Sequence, residues 1–164
     1  MLYLWWIVGA SGEKWKEGEE KVFLGQFRHK VDGKGRITIP NEFRKDLSPT
    51  LYLTKGIETC IFIFTEEEWL KIAGRIAALP LARKVGREFA RIFLANATAQ
   101  VIDGQGRVMI PKHLREHAQI EKKAVTVGVG TRIEVWAENW WDQYSQDVEG
   151  KFGEITENIM DSGI

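Results

Sequence analysis

Apolar and polar positions alternate in short stretches through residues 23–64, and the spacing then changes to a helical period. Residues 23–31 read as a strand. Arg36-Ile37-Thr38-Ile39 reads as a half-buried strand, with Ile37 and Ile39 on the buried side and Arg36 out of phase with them. Asp32-Gly33-Lys34-Gly35 between them predicts a tight turn, since Asp-Gly and a second Gly supply positive φ at low cost. Pro40 predicts the start of a short helix through Asp46. Residues 51–54 and 60–64 predict a hairpin around Lys55-Gly56-Ile57-Glu58. Thr65 with Glu68 forms a capping-box signature, and the helix after it places Trp69, Ile72, Ile76 and Leu79 on one side. Val85, Phe89, Ile92 and Phe93 predict another amphipathic helix, whereas residues 150–164 show no period and read as a loose acidic tail.

The same plan recurs further along. Residues 31–44 read VDGKGRITIPNEFR and residues 102–115 read IDGQGRVMIPKHLR. Seven of these fourteen positions are identical, at an offset of 71. After a one-residue insertion Gly56 meets Gly128, Ile61 meets Ile133 and Trp69 meets Trp141, and Trp140, Tyr144 and Val148 stand four apart in the closing helix. This divides the chain into a first unit at 22–79, a linking helix at 80–94, a second unit at 95–149 and the tail at 150–164. Each unit is too short to bury much apolar surface alone, so the two are expected to share one core. Several of Trp69, Trp136, Trp140 and Trp141 are expected to leave apolar surface for assembly with further copies.

The chain has 164 residues, 44% of them hydrophobic and 28% charged, a balance that excludes compositional disorder. The formal net charge is zero, but that value averages unlike segments. Residues 25–133 carry 19 Lys or Arg against 11 Asp or Glu, and residues 134–164 carry one Lys against eight acids. A basic body is thus masked by an acidic C-terminal part, which restores a nucleic-acid partner to consideration. One cysteine, Cys60, excludes an internal disulfide framework and a thiolate metal cluster. The apolar run at residues 1–8 is shorter than the roughly 20 residues a spanning helix needs, and no Lys or Arg precedes it as in a signal peptide. Gly12 to Lys21 is mostly Gly, Glu and Lys, whose codons can be purine-rich, and Val22 follows. We therefore expect residues 1–21 to be a translated leader and the native chain to begin at position 22, which N-terminal sequencing of the native protein checks.

Few residues suggest catalysis. His113-Leu114-Arg115-Glu116-His117 spells an inverted zinc-peptidase pattern. Its counterpart Glu42-Phe43-Arg44-Lys45-Asp46 has no histidine and no third ligand is evident, so no metal is expected. Cys60 lies in an apolar strand and reads as a core residue. The Gly pairs lack the third Gly and following helix of a dinucleotide site. No cofactor and no small-molecule substrate are implied. The repeated Asp-Gly-x-Gly-Arg is different. Asp32, Gly35, Asp103 and Gly106 are expected to shape two turns. Lys34, Arg36, Gln105 and Arg107, with Arg28, Lys30, Arg44 and Arg115 around them, supply the long donor-rich side chains that phosphate contact and major-groove reading need. Arg36 and Arg107 are expected to face solvent and to serve DNA rather than stability.

These residues resemble the MraZ family of bacterial transcriptional regulators, built from two AbrB-like units. The resemblance rests on Phe23-Leu24-Gly25, the two D-x-x-G-R-x-x-x-P stretches at 32–40 and 103–111, Thr54-Lys55-Gly56, Ala78-Leu79-Pro80-Leu81, and the run from Val127 to Trp136. It implies an α+β fold in which two tandem ββαββα units pack as a β-barrel core of swapped-hairpin type with flanking helices. It implies a cytoplasmic, nucleoid-associated protein that binds short direct repeats in the promoter of its own division and cell-wall gene cluster, usually as a repressor. The partners implied are double-stranded DNA and further copies of the same chain in a closed ring, with no membrane. The family's Asp–Arg motif falls on Asp32 and Arg36, and on Asp103 and Arg107. Two other classes stay open at this point, an AbrB-type antitoxin or global regulator and a structural ring that does not bind DNA.

Overall fold

The structure, a computed structural model, describes residues 21–163. The leader reading of residues 1–21 lies outside the described residues, apart from Lys21. Fourteen elements follow one another in the order ββαββα, a helix, ββαββα, and a last helix. The first set is β1 (Phe23–Lys30), β2 (Arg36–Thr38), α1 (Asn41–Arg44), β3 (Thr50–Lys55), β4 (Cys60–Thr65) and α2 (Glu66–Ala77). The connecting helix is α3 (Lys84–Ala95). The second set is β5 (Thr98–Val101), β6 (Arg107–Met109), α4 (Lys112–His117), β7 (Lys123–Gly130), β8 (Arg132–Ala137) and α5 (Glu138–Glu149). The last helix is α6 (Phe152–Asp161), so the segment read as a loose tail is helical over ten residues.

The strands form an antiparallel six-stranded sheet in the order β1-β7-β8-β4-β3-β5, and a separate two-stranded ribbon of β2 and β6. The order is nearly symmetric about the β8–β4 pair. The hairpin of the first unit, β3–β4, sits beside the hairpin of the second, β7–β8, with Ile61 opposite Val135. The outer strands are exchanged. β1 pairs with β7 of the second unit over eight residues, and β5 pairs with β3 of the first over four. The ribbon is shared in the same way, with Ile37 opposite Val108. Each unit therefore lends its first two strands to the other, and neither can complete its ladders alone. The six-stranded sheet stays open, with β1 and β5 at its edges, so the core is enclosed by two sheets rather than by one closed barrel.

Burial explains this layering. One core lies between the large sheet and the ribbon, and contains Ile37, Ile39, Val108, Ile110, Leu51, Leu53, Ile61, Ile63, Ile133 and Val135, with Phe43 and Leu114 from α1 and α4. A second lies on the other face of the sheet, where Phe62, Phe64 and Trp136 meet Trp69 and Ile76 of α2 and Phe93 of α3. Central strands are covered on both faces, so all six residues of β4 are buried and its sequence CIFIFT does not alternate. The capping box is half formed. Thr65 Oγ1 accepts from Glu68 N at 3.3 Å, while the Glu68 carboxylate takes Lys71 Nζ at 2.7 Å instead of reaching back. Trp69 and Trp136 are 9% and 3% exposed, so these two do not supply the surface expected for assembly.

Candidate nucleic-acid interface

The repeated motif builds two near-identical turns, one at each end of the ribbon. Asp32 Oδ1 accepts from Lys34 N at 2.9 Å and Arg36 N at 3.0 Å, and Asp32 Oδ2 accepts from Arg36 Nε at 2.7 Å. Asp103 does the same for Gln105 N at 2.9 Å, Arg107 N at 2.9 Å and Arg107 Nε at 2.7 Å. Gly35 and Gly106 sit at φ +77° and +75°, a region other residues adopt with strain, and their N–H groups donate to the carbonyls of Asp32 and Asp103 at 2.9 Å. The spacing D-x-x-G-R is thus set by one carboxylate that gathers three donors. The N–H of Arg36, followed by desolvation in the opposite sense and by the Arg36 guanidinium and the Lys34 N–H, leaves the Asp32 carboxyl lowered to about 2. The Asp103 carboxyl is likewise held below its ordinary value, first by the N–H of Arg107.

The arginines differ from the sequence expectation in one respect. Arg36 and Arg107 leave the ribbon on its outer side, opposite Ile37 and Val108, yet their side chains are only 24% and 29% exposed. Each lies along its own turn aspartate, and Arg36 Nη1 also stands 3.8 Å from Asp103 Oδ2, across the ribbon. The alternation fixed the face correctly but said nothing of the carboxylates folded over it. These side chains are tethered, and so have a structural part as well as an outward one. Among the described residues their side-chain hydrogen bonds to protein use only Nε, and of the Nη groups only Arg36 Nη1 stands within ion-pair distance of a carboxylate, that of Asp103.

The other expected residues separate into three groups. Lys34 and Gln105 are exposed at the turn tips. Arg44 and Arg115 clasp the opposite unit's turn. The Arg115 guanidinium covers Gly35 and its Nε donates to Ile110 O at 3.0 Å, while the Arg44 guanidinium covers Gly106, hydrogen-bonds Asn41 Oδ1 and has its Nε buried without a partner. Arg28 and Lys30 lie on the far face of β1. Arg28 is paired with Glu138 at 3.1 Å and Asp142 at 2.7 Å on α5, beside Gln26, which accepts from Trp141 Nε1 at 2.6 Å. Alternation along β1 puts Lys30 on that same face. Arg36 and Arg107 thus share the outer face of the ribbon, Lys34 and Gln105 are exposed at its two turns, and Arg28, though paired to α5, lines one cleft with Thr38 and Asn41.

Thr38 and Met109 were not singled out from the sequence. They face outward in register with the arginines, Thr38 opposite Arg107 and Met109 opposite Arg36. Alternation with Ile37 and Ile39, and with Val108 and Ile110, was the signal that puts them outward, whereas their opposite partners follow only from the pairing of the two repeats. The remaining chemistry is modest. His113 Nε2 stands 3.3 Å from Asn96 O and His117 Nε2 3.2 Å from Glu58 O, so the two imidazoles meet different backbone carbonyls. Cys60 is buried, and burial pushes its thiol pKa up, with Glu134 and Glu58 adding to the shift. No described helix is long and apolar enough to cross a membrane.

The model of the MraZ protein family, which is described as antitoxin-like, matches twice in tandem, over residues 22–92 and 93–162. The chain is 44% identical over 143 residues to a protein named "Transcriptional regulator MraZ" from Thermoanaerobacter sp. (strain X514), covering 87% of this chain and 100% of that one. A protein of the same name from Caldanaerobacter subterraneus subsp. tengcongensis is 44% identical over 138 residues, covering 84% and 96%. One from Ligilactobacillus salivarius is 42% identical over 140 residues, covering 85% and 98%. With both halves matched and identities of this size over nearly the whole of each relative, the chain belongs to the MraZ family.

Proposed function

We propose that this protein regulates transcription by binding double-stranded DNA in a sequence-specific manner, through the outer face of the β2–β6 ribbon. The observation that carries the reading is the pair of aspartate-tethered guanidiniums of Arg36 and Arg107 on the outer face of one ribbon. Arginine grips guanine O6 and N7 through two parallel N–H bonds, and a guanidinium already held by its Nε loses less side-chain freedom when it does so. Lys34 and Gln105 extend the contact from the tips, and Arg44 and Arg115 hold the turns in place. Arg28 and Lys30 add to the long-range positive field of the basic body. No catalytic role, cofactor or metal is assigned.

The exchanged strands and the shared core support a barrel-like packing of two swapped hairpins, with functional units at 22–79 and 95–149, a linking helix at 80–94 and an acidic C-terminal segment at 150–164. The protein works as a homo-oligomer, a closed ring in which each protomer offers a ribbon. Exposed apolar side chains on and around α2 and α3 support this: Leu70, Leu81, Val85 and Ile92 are each at least 60% exposed. Several ribbons over short direct repeats gain by effective concentration. The family resemblance supports a target in the protein's own promoter, with a role as repressor of a division and cell-wall gene cluster in the cytoplasm, at the nucleoid.

A gel shift on the duplex upstream of its own gene tests the reading, with wild-type protein and Arg36→Ala side by side, and light scattering on both. Wild-type protein is expected to retard the duplex and to scatter well above a single chain, and Arg36→Ala to lose the shift while keeping its size. Equal retardation by both proteins, or none by either, would sink it.

A further inference from the structure

The ribbon backbone is nearly two-fold symmetric, but the side chains it presents are not. The strand exchange brings α4 beside the first turn, where Ile110 N donates to Gly35 O at 3.0 Å, and α1 beside the second, where Ile39 N donates to Gly106 O at 2.8 Å. Lys112 opens α4 and Asn41 opens α1, at equivalent places. One end of the ribbon therefore carries two lysines, Lys34 at the tip and Lys112 beside it. The other carries two amides, Gln105 at the tip and Asn41 beside it, with Thr38 lining one cleft with Asn41, Arg28 and Arg44. Lys112 is four-fifths exposed and meets Glu116 only at 3.5 Å, a surface pair that phosphate can displace. Among the described residues the Gln105 side chain has no hydrogen-bond partner, and Asn41 uses only its Oδ1, toward Arg44.

We propose that the two ends do different work on DNA, the Lys34–Lys112 end anchoring on phosphate and the Gln105–Asn41–Thr38 end reading base edges. The inference rests on the DNA-binding reading above and adds a division of labour to it. An ammonium is a point charge that attracts any phosphate and carries no sequence information. A side-chain amide offers a donor and an acceptor together, the pattern that adenine N6 and N7 complement in the major groove. A two-fold backbone alone would call for a palindromic site, since protein symmetry is mirrored in the DNA. The unlike ends remove that requirement. Each protomer then seats in one orientation, and its preferred site has a direction.

The test is selection from a randomised duplex library by the full chain, for wild type, Lys34→Gln, Gln105→Ala and Gln105→Lys, with affinity measured against salt. Wild type is expected to enrich a motif that is not its own reverse complement. Lys34→Gln should keep that motif, bind more weakly, and show a log K against log salt slope shallower by about 0.9 for each protomer engaged. Gln105→Ala should keep the slope and lose preference at a single position, where discrimination falls about fivefold or more. Gln105→Lys should lose the same preference and steepen the slope. All four proteins are expected to melt alike, since both side chains stand on exposed tips. A palindromic wild-type motif, an unchanged motif for Gln105→Ala, or an altered motif for Lys34→Gln overturns the inference and leaves DNA binding standing. Failure of wild type to enrich any motif overturns the sequence-specific reading itself, and this inference with it.

Discussion

The guanidinium of Arg115, from the second unit, lies against the backbone of Gly35 in the first, so close that a Cβ at Gly35 would stand 2.6 Å from Arg115 Nε. The relation is repeated with the units exchanged, where Arg44 covers Gly106. Each turn that presents an outward arginine is thus closed from behind by an arginine of the other copy. The repeat in the sequence is a repeat of this clasp, and it makes the two units one folding body.

Gly35 is therefore the least replaceable position of the first turn. Gly35→Ala must hold an L-residue at φ +77° and displace Arg115, which is fixed by its bond to Ile110 O. We expect a loss of about 1–3 kcal/mol in stability. Gly33→Ala, two residues away, meets nothing within 4 Å of its new Cβ, and its φ lies outside the left-handed region. It should stay within about 0.5 kcal/mol of wild type. Urea unfolding of the two variants checks the contrast, and equal losses would refute the clasp.

Much of this fold was legible in the residues because both copies carry the same local signals. The Asp-Gly and Gly-Arg steps placed the turns, and Ile37 and Ile39 alternate as a half-buried strand must. What could not be read was the partner of each strand. Two copies related by an offset of 71 satisfy the same local rules whether β1 pairs within its own unit or with β7 of the other. The exchange hid the outward partners Thr38 and Met109, and the clasp by Arg44 and Arg115. It also hid the diversion of Arg28 to α5, which depends on Glu138 and Asp142 some 110 residues away in sequence. The α6 helix escaped notice because Gly153 weakens its first turn, although Phe152, Ile155 and Ile159 do keep a helical spacing.

Acid should loosen the ribbon turns. The folded pKa of Asp32 is about 2, below its ordinary 3.8, and that of Asp103 is lowered in the same direction. The unfolded chain therefore takes up these protons first as pH falls. Their contribution is whole above about pH 4 and drains away as pH drops toward 2. Asp32→Asn removes one of the two groups and should flatten the fall in melting temperature between pH 4 and 2. Both side chains are open to water, so the effect is modest. Melting curves of wild type and variant across that window decide it, and parallel curves would mean that other carboxylates carry the acid response.

Removal of residues 150–164 should leave the fold intact and tighten DNA binding. None of the residues of α6 is buried, so its deletion exposes little core. The segment holds Lys151 against Glu154, Glu157 and Asp161, a side-chain net of −2. Its loss makes the remaining chain more attractive to phosphate, most visibly at low ionic strength where screening is weak. Fluorescence anisotropy at two salt concentrations reads the change. Weaker binding by the shortened chain at low salt would assign α6 a direct part in the complex or in assembly.

The sharpest separation of charge from geometry comes from Arg36→Lys. The substitution keeps the positive charge on the ribbon, and an ammonium can still approach Asp32 and Asp103. It cannot reproduce the fork in which Nε is held by Asp32 at 2.7 Å while the Nη groups make no hydrogen bond to a described residue. If Arg36 acts as a point charge, the variant binds DNA nearly as wild type does. If the tethered guanidinium reads a base, affinity for the specific site falls about fivefold or more, the equivalent of about 1–3 kcal/mol for a bidentate contact, while binding to unrelated duplex is little changed. Asp32→Asn should share that loss although it removes a negative charge from the surface, because the arginine is then no longer held. We expect the second pattern for both variants, measured as the ratio of specific to non-specific affinity at one fixed salt concentration. Tighter specific binding by Asp32→Asn would show that net charge, and not the tether, governs recognition at this turn.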